Sequence, residues 1–323
     1  MKKIIGIMSV RNVLSQGYPF LEAIHNFLSW GDTLYISDGF SNDGTEKILS
    51  QLSKSKRIKI YKNSWDLNNK YFKKGQILAK VNDNLLKKVK DRHKNDVIFF
   101  LQANEIAHEN SFKELRELPE QYPDYKGYIL PYRVLVGPYQ LQDATWRLRF
   151  VYANQDLGIL SDGTHIEVLK EINFKMFLAE YLYTFYRYIT PGEFYFRNFR
   201  RFSKFFKVAF ISKPIFRYGI IFPKNIYLKM VSHNQVYKSL NIYRDLKNGK
   251  TWASYLYRLS TNFHSDTNKF YKLASNKLIE LSTDKVLIRR PFIVYDHPAI
   301  MHSIINKEKY IVRQDIINKI IHL

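Results

Sequence analysis

Apolar residues along this chain fall into short runs separated by longer stretches with helical spacing. Lys3 to Val10 is almost continuously apolar, the pattern of a strand buried on both faces. From Tyr18 to Trp30 the residues Phe20, Leu21, Ile24, Phe27 and Leu28 share one helical face, and Gly31 stands where that helix should stop. Thr33 to Ser37 reads as a second strand and Glu46 to Leu52 as a helix. Arg57 to Tyr61 alternates as a third strand. Asn69 to Asp91 repeats Ile77, Val81, Leu85 and Val89 as a long basic helix, and Asp96 to Leu101 is a fourth, apolar strand. Strand and helix alternate, which predicts the α/β class: a mostly parallel sheet with helices on both faces.

The pattern changes after about residue 125. Gly127 to Val136 and Trp146 to Tyr152 read as strands with a turn-rich Gly137-Pro138 segment between them, so an antiparallel addition to the sheet is expected. Asn241 to Leu281 reads as helical, with Leu256, Leu259, Phe263, Phe270 and Leu273 as packing residues, and Val286 to Tyr295 as a late strand interrupted by Pro291. Two regions are expected: a catalytic domain over 1–170, and a helical, basic-aromatic elaboration over 171–323 whose late strand is a candidate to return to the first domain.

Composition narrows the chemistry. The chain of 323 residues has no cysteine, which excludes disulfides, thiolate metal sites and a cysteine nucleophile. That fits a reducing compartment such as the cytoplasm. The apolar run at the start is short and leads into Arg11-Asn12, so a buried strand is expected there in preference to a signal peptide. No stretch approaches the roughly 20 apolar residues of a membrane span. A formal charge of +22 predicts attraction to polyanions: nucleic acid, anionic lipid or phosphorylated substrates.

Two loops carry candidate chemistry. Ser37-Asp38-Gly39-Phe40-Ser41-Asn42-Asp43-Gly44-Thr45 follows the second strand and precedes a helix. Asp38 therefore stands at a strand's carboxyl end, where α/β proteins bind ligands. Ser41 or Asp43 also suits a helix cap, and the stretch has the composition of an ordinary turn. Gln102-Ala103-Asn104-Glu105-Ile106-Ala107-His108-Glu109 follows the fourth strand on the same edge of the sheet.

Taken together, Val10-Arg11-Asn12, Asp38 to Thr45 and Gln102 to Glu109 resemble, in order and position, the motifs of GT-A fold glycosyltransferases. The likeness is to family 2 and its relatives, in the branch with a Gln-Ala-Asp-Glu-type motif in place of Asp-x-Asp. It covers roughly residues 1–110; Tyr186 to Pro191 and Asp296-His297-Pro298 look similar to weaker elements of the same branch. The resemblance implies a Rossmann-like GT-A sheet and a nucleotide-sugar donor. It implies nucleotide contacts by Arg11, Asn12 and Asp38, with Asp43, Gln102 and Asn104 completing the donor site. It also implies a divalent cation of the Mn or Mg type on the diphosphate, for which Asn104, Glu105 and His297 are the candidate ligands. Asn104 replaces the expected Asp. A metal site moved to Glu105 or Glu109, metal-free chemistry through Arg and Lys, and a weakened enzyme are all compatible with that exchange.

An inverting transfer requires a base within hydrogen-bond reach of the acceptor hydroxyl. Ser161 to Glu167 is the densest polar cluster beyond the second motif, with Asp162 the first candidate and His165 and Glu167 behind it; an ordinary turn with a helix cap explains the same residues. Trp146 to Arg149 alternates, placing Arg147 and Arg149 on one strand face, toward a phosphate or toward solvent. From Tyr183 to Lys229 there are ten Lys/Arg, one acidic residue and sixteen Phe/Tyr. Within that stretch Phe199, Phe202, Phe206 and Phe210 recur at helical spacing beside Arg197, Arg200, Arg201, Lys204 and Lys207. A helix of that kind suits the headgroup layer of an anionic membrane, with Phe216 to Phe222 adding apolar surface. The expected partners are therefore a nucleotide-sugar donor, a saccharide or lipid-linked acceptor and an anionic membrane surface reached from the cytoplasm. A catalytically weak sugar- or partner-binding domain and a basic nucleic-acid-binding protein are the readings left open beside it, although no nucleic-acid-binding signature is present.

Overall fold

In the computed structural model, side chains of Ile4–Val10 (β1) alternate between two cores: Ile4, Met8 and Val10 enter one, and Ile5 and Ile7 the other. The structure describes residues 2–68, 76–136, 139–140, 145–159, 166–168, 206–209, 211–237 and 297–323, together with residues 262, 265, 266, 269 and 273. After β1 come α1 (Phe20–Leu28), β2 (Thr33–Asp38), α2 (Thr45–Leu52), β3 (Ile58–Lys62), α3 (Gln76–Lys90), β4 (Val97–Phe100) and β5 (Glu105–Ala107). Next are α4 (Phe112–Gln121), β6 (Gly127–Val136), β7 (Tyr139–Gln140), β8 (Thr145–Tyr152), β9 (Leu157–Ile159), β10 (Ile166–Val168), β11 (Phe206–Val208), β12 (Ile215–Ile220), α5 (Ile226–Tyr237) and α6 (Gln314–His322).

Among the described residues one sheet has the order β3-β2-β1-β4-β8-β6-β12-β5, with β7 and β11 also paired to β6. The β3-β2-β1-β4 half is parallel. β8 then inserts antiparallel between β4 and β6, as the strand-only pattern after residue 125 leads one to expect. β12 lies parallel to β6 and antiparallel to β5. Helices α1, α2, α4 and α6 pack their apolar faces on one side of the sheet, and α3 packs Ala79, Leu85, Leu86 and Val89 on the other. The fold is thus α/β, with helices covering both faces of a mixed sheet whose first half is parallel. Both amphipathic periodicities in the first hundred residues translate directly into this arrangement.

Two expectations are corrected. The helix read through Phe194 to Phe210 does not reach its end, because Phe206–Val208 is a strand paired in parallel with Gly127–Ile129. Backbone hydrogen bonding to β6 satisfies that segment in extended form, and it outweighs the local spacing of phenylalanines. Phe216, Tyr218, Ile221 and Phe222 are buried in the core, so they offer no apolar surface to a membrane. The rest of that stretch, including Arg197, Arg200, Arg201 and Lys204, lies outside the described residues, as do Tyr186 to Pro191 and the late strand at 286–295. Among the described residues no helix is long and apolar enough to cross a membrane.

The segment from His297 onward packs on the first half of the chain. α6 buries Ile316, Ile317 and Ile320 against α1 and α2. Tyr310 donates its hydroxyl to Glu22 Oε2 at 2.9 Å, and Asn225 ties Tyr310 to the loop after β1 through bonds to its amide and to the carbonyls of Leu14 and Ser15.

Candidate functional site

Val10 and Asp38 pair across β1 and β2, and Leu101 donates its amide to Ile7, so the carboxyl ends of β1, β2 and β4 open on the same edge of the sheet. The loops that leave this edge are laced together. Asn12, at a positive φ of 51°, accepts the Asn42 amide on its Oδ1, and its own amide donates to Ser41 Oγ. Asp43 accepts the amides of Ser15 and Thr45. Asp38 is wholly buried: its Oδ1 accepts the Ser41 amide and hydroxyl at 3.2 and 2.6 Å, and its Oδ2 lies 2.7 Å from Lys62 Nζ. The side chains of Asn12, Asp38 and Asp43 therefore hold the two loops in register.

A cleft of about 160 Å³ opens beside these loops. Its polar lining includes Arg11, Trp65, Gln102, Asn104, Arg217 and Ser232. Val10, Phe100 and Leu101 supply an apolar base, and Tyr18 one wall. This volume is below the roughly 300–1,000 Å³ of typical small-molecule sites, so a nucleotide-sized ligand would extend beyond it. Among the described residues the cleft lining contains no aspartate or glutamate.

Gly39 explains how Trp65 reaches the cleft. A Cβ on Gly39 would stand 2.7 Å from Trp65 Nε1 and 3.0 Å from Arg11 Cβ, so only glycine lets the indole lie against this turn. The Trp65 Nε1 atom is buried and has no hydrogen-bond partner among the described residues. The next residue, Phe40, is exposed and sits at a positive φ of 55°, a conformation that costs a bulky side chain energy and that clusters at functional sites.

The second motif is built differently from what the resemblance implies. Gln102 and Asn104 line the cleft, and Asn104 is fastened to Tyr218 by reciprocal bonds: Asn104 Nδ2 to the Tyr218 carbonyl at 2.9 Å, and the Tyr218 amide to the Asn104 carbonyl at 2.8 Å. Glu105 begins β5 and is buried. Its Oε2 accepts the Gln102 amide at 3.0 Å, and its Oε1 pairs with Arg149 Nη2 at 2.8 Å. Arg149 sits at a β-bulge, where Tyr128 faces Phe150 and Ile129 faces Leu148, leaving it unopposed on β6. Such bulges re-aim side chains, and here the guanidinium turns over the Phe100 ring, 4.5 Å from its centroid. Arg149 is thus an internal counter-ion, not part of an exposed basic face. Its Nε and Nη1, and the nearby Tyr132 hydroxyl, are buried with no hydrogen-bond partner.

The expected metal ligands are engaged by protein partners or lie apart from one another. Glu105 has both oxygens engaged by protein partners. His297 is buried on the opposite side of β12, where its Nδ1 meets the Tyr218 hydroxyl at 3.0 Å and its ring packs near Phe216. Glu109 accepts the Ala299 amide, tying down the returning segment. Among the described residues no group of three or more His, Asp or Glu stands ready to hold a metal. Hard divalent cations prefer oxygen ligands, chiefly carboxylates, and among the described residues this cleft presents no carboxylate.

The candidate bases fall mostly beyond view. Asp162 and His165 lie outside the described residues, and Glu167 lies in β10, opposite Gly158 of β9.

Two cations that the sequence reading did not single out stand at the cleft or directly beside it. On β12, Phe216 and Tyr218 point into the core and Arg217, between them, faces the cleft. Arg217 has no ion-pair partner among the described residues. Lys229 of α5 donates to the Gly219 carbonyl and lies 4.2 Å from the Tyr18 ring centroid. Burial, and then the Arg217 charge, lower the Lys229 ammonium to about 7. Burial raises the Tyr18 hydroxyl, with Arg217 opposing that shift. The signal for Arg217 was the strict alternation Phe216-Arg217-Tyr218, which resembles a strand more than a membrane-facing patch. Trp65 and Lys229 had no local signal.

No protein-family model and no curated protein matches the chain. Among solved structures, the chain is similar to TarS from S. aureus, with 12% identity and a TM-score of 0.36 over 88% of this chain and 50% of that one. It is similar to TarS 1-349 in complex with UDP-GlcNAc, with 11% identity and a TM-score of 0.36 over 86% and 81%. It is also similar to a putative glucose-1-phosphate thymidylyltransferase from Bacillus anthracis in complex with a sucrose, with 12% identity and a TM-score of 0.33 over 74% and 96%. The chain spans half the length of the longer TarS chain. Likeness this distant says nothing about activity.

Proposed function

We propose that this chain is a glycosyltransferase that moves a sugar from a nucleoside diphosphate sugar to a hydroxyl of a saccharide or lipid-linked acceptor. One observation carries the reading. The cleft at the carboxyl ends of β1, β2 and β4 joins Arg11 of the first motif to Gln102 and Asn104 of the second, and among the described residues it is lined by arginine without any carboxylate. Such a site favours an anionic ligand at the edge where α/β sheets bind nucleotides.

Arg11 and Trp65 take the nucleoside end, where the unpartnered indole N–H offers a donor to an oxygen of the base or ribose. Gln102 and Asn104 face the middle of the donor. Asn12, Asp38 and Asp43 act one step removed, by holding the loops that place Arg11. The acceptor hydroxyl attacks the anomeric carbon, its proton passes to a base, and the nucleoside diphosphate leaves. Asp162 is the first candidate for that base, with His165 and Glu167 behind it, and the transfer is assigned as inverting. The basic-aromatic stretch from 194 to 205 is assigned to an anionic membrane surface.

A thermal-shift screen of UDP, GDP and their sugars tests the reading. A ligand at 100 times its Kd stabilises the folded chain by about 2.7 kcal/mol, a readily visible shift. Failure of every nucleotide to stabilise the chain would remove the reading.

A further inference from the structure

We infer that the cleft binds the diphosphate of its donor without a metal ion, with Arg217 and Lys229 supplying the positive charge that a cation would otherwise bring. The inference rests on the donor reading above and assigns two residues from the second half of the chain to it.

Three observations converge on this pair. Among the described residues the cleft lining has two arginines and no carboxylate, a charge that disfavours a free divalent cation and attracts an anion. The acidic residue of the second motif, Glu105, is neutralised internally by Arg149 and contributes no net charge to a metal. Arg217 lines the cleft with no ion-pair partner among the described residues, and Lys229 Nζ lies 4.2 Å from the ring of Tyr18, which forms part of the same lining. On α5, Ser232 lines the cleft, and Lys229, one turn before it, adjoins the cleft wall through that Tyr18 ring.

Arg217 stands opposite Glu105 in the β5–β12 pair, but Glu105 is already paired with Arg149, so the charge that Arg217 and Lys229 impose on each other is not cancelled there, and an incoming dianion relieves it. Among the described residues, the titratable and charged groups set against Lys229 are Arg217 of β12 and Tyr18 of the loop before α1; the Gly219 carbonyl accepts its hydrogen bond. None of these is anionic near neutrality, so burial and Arg217 together favour the neutral amine. Diphosphate binding reverses that balance. Above about pH 7, binding therefore carries a proton onto Lys229 Nζ, taken from solvent.

The test is calorimetric titration of the full chain with inorganic pyrophosphate, UDP and GDP in EDTA, at pH 6.5 and pH 8, in buffers of different ionisation enthalpy. Pyrophosphate and at least one nucleotide are expected to bind without metal, several-fold more weakly at pH 8, with net proton uptake at the higher pH. Arg217→Gln and Lys229→Gln should each weaken binding about tenfold or more. Lys229→Arg should retain affinity and lose the proton uptake, which a merely structural lysine would not do. Lys87→Gln, an exposed position on α3, should change nothing. Should Arg217→Gln fail to fold by thermal unfolding, the two Lys229 variants decide. Nucleotide binding that requires Mn and is indifferent to Arg217 and Lys229 overturns the inference and leaves the donor reading intact. Arg217-dependent pyrophosphate binding with no nucleotide binding overturns the donor reading and leaves an anion site. Absence of all binding overturns both.

Discussion

Arg149 Nη2 lies 2.8 Å from Glu105 Oε1, and neither side chain is exposed to solvent. Removing one partner of a buried pair leaves the other charge uncompensated, which costs about 3–5 kcal/mol. Glu105→Gln is therefore expected to destabilise strongly, and the double replacement Glu105→Gln with Arg149→Met should recover much of that loss. Urea unfolding of the two single variants and the double variant measures the coupling; additive effects would show that the pair does not act as a unit.

Gly39 admits the Trp65 indole to the cleft. Gly39→Ala places a methyl 2.7 Å from Trp65 Nε1, so the ring must move. The expected outcome is a shift in tryptophan emission and about a tenfold loss of nucleotide affinity, with Tm falling by only a few degrees. Unchanged nucleotide affinity would separate Trp65 from the binding role.

Glu22 is buried beneath Tyr310, and desolvation raises its carboxyl to about 7, against the smaller opposing effects of hydrogen bonds and Arg313. The folded chain thus holds a proton there that the unfolded chain has released. Stability is full below about pH 4.5 and falls as pH rises from there to about 7, by on the order of a few kcal/mol. Glu22→Gln should remove this slope. Its advantage in Tm over the parent should grow between pH 5 and 8, and a constant difference across that range would contradict the assignment.

The α6 helix buries Ile316, Ile317 and Ile320 on α1 and α2. Each truncation to alanine is expected to cost about 2–5 kcal/mol, since a buried methylene cluster is removed and a cavity remains. Equilibrium unfolding of Ile317→Ala checks this; a change below 0.5 kcal/mol would mean that the helix docks only loosely.

The first four strands and first three helices were legible because each buries its own face. Ile58 and Ile60 alternate, and Val81, Leu85 and Val89 repeat by turns, so local spacing carries the information. Other elements have no such local record. β5 is three residues long, and β11 is extended because β6 offers it backbone partners. α4 and α6 were not anticipated either, although α6 carries a strong apolar stripe.

The site divides in the same way. From sequence alone came the two loops at the carboxyl edge of the sheet, the resemblance they carry and the strong positive charge; these follow from residue order along single strands and turns. Only the tertiary structure decided which neighbours each loop residue meets. Asp38 meets Ser41 and Lys62, Glu105 meets Arg149 from 44 positions away, and the cleft receives Arg217, with Lys229 beside its Tyr18 wall, from a strand and a helix far along the chain. A side chain's charge is written in the sequence, but whether that charge is neutralised depends on which neighbours the fold brings to it.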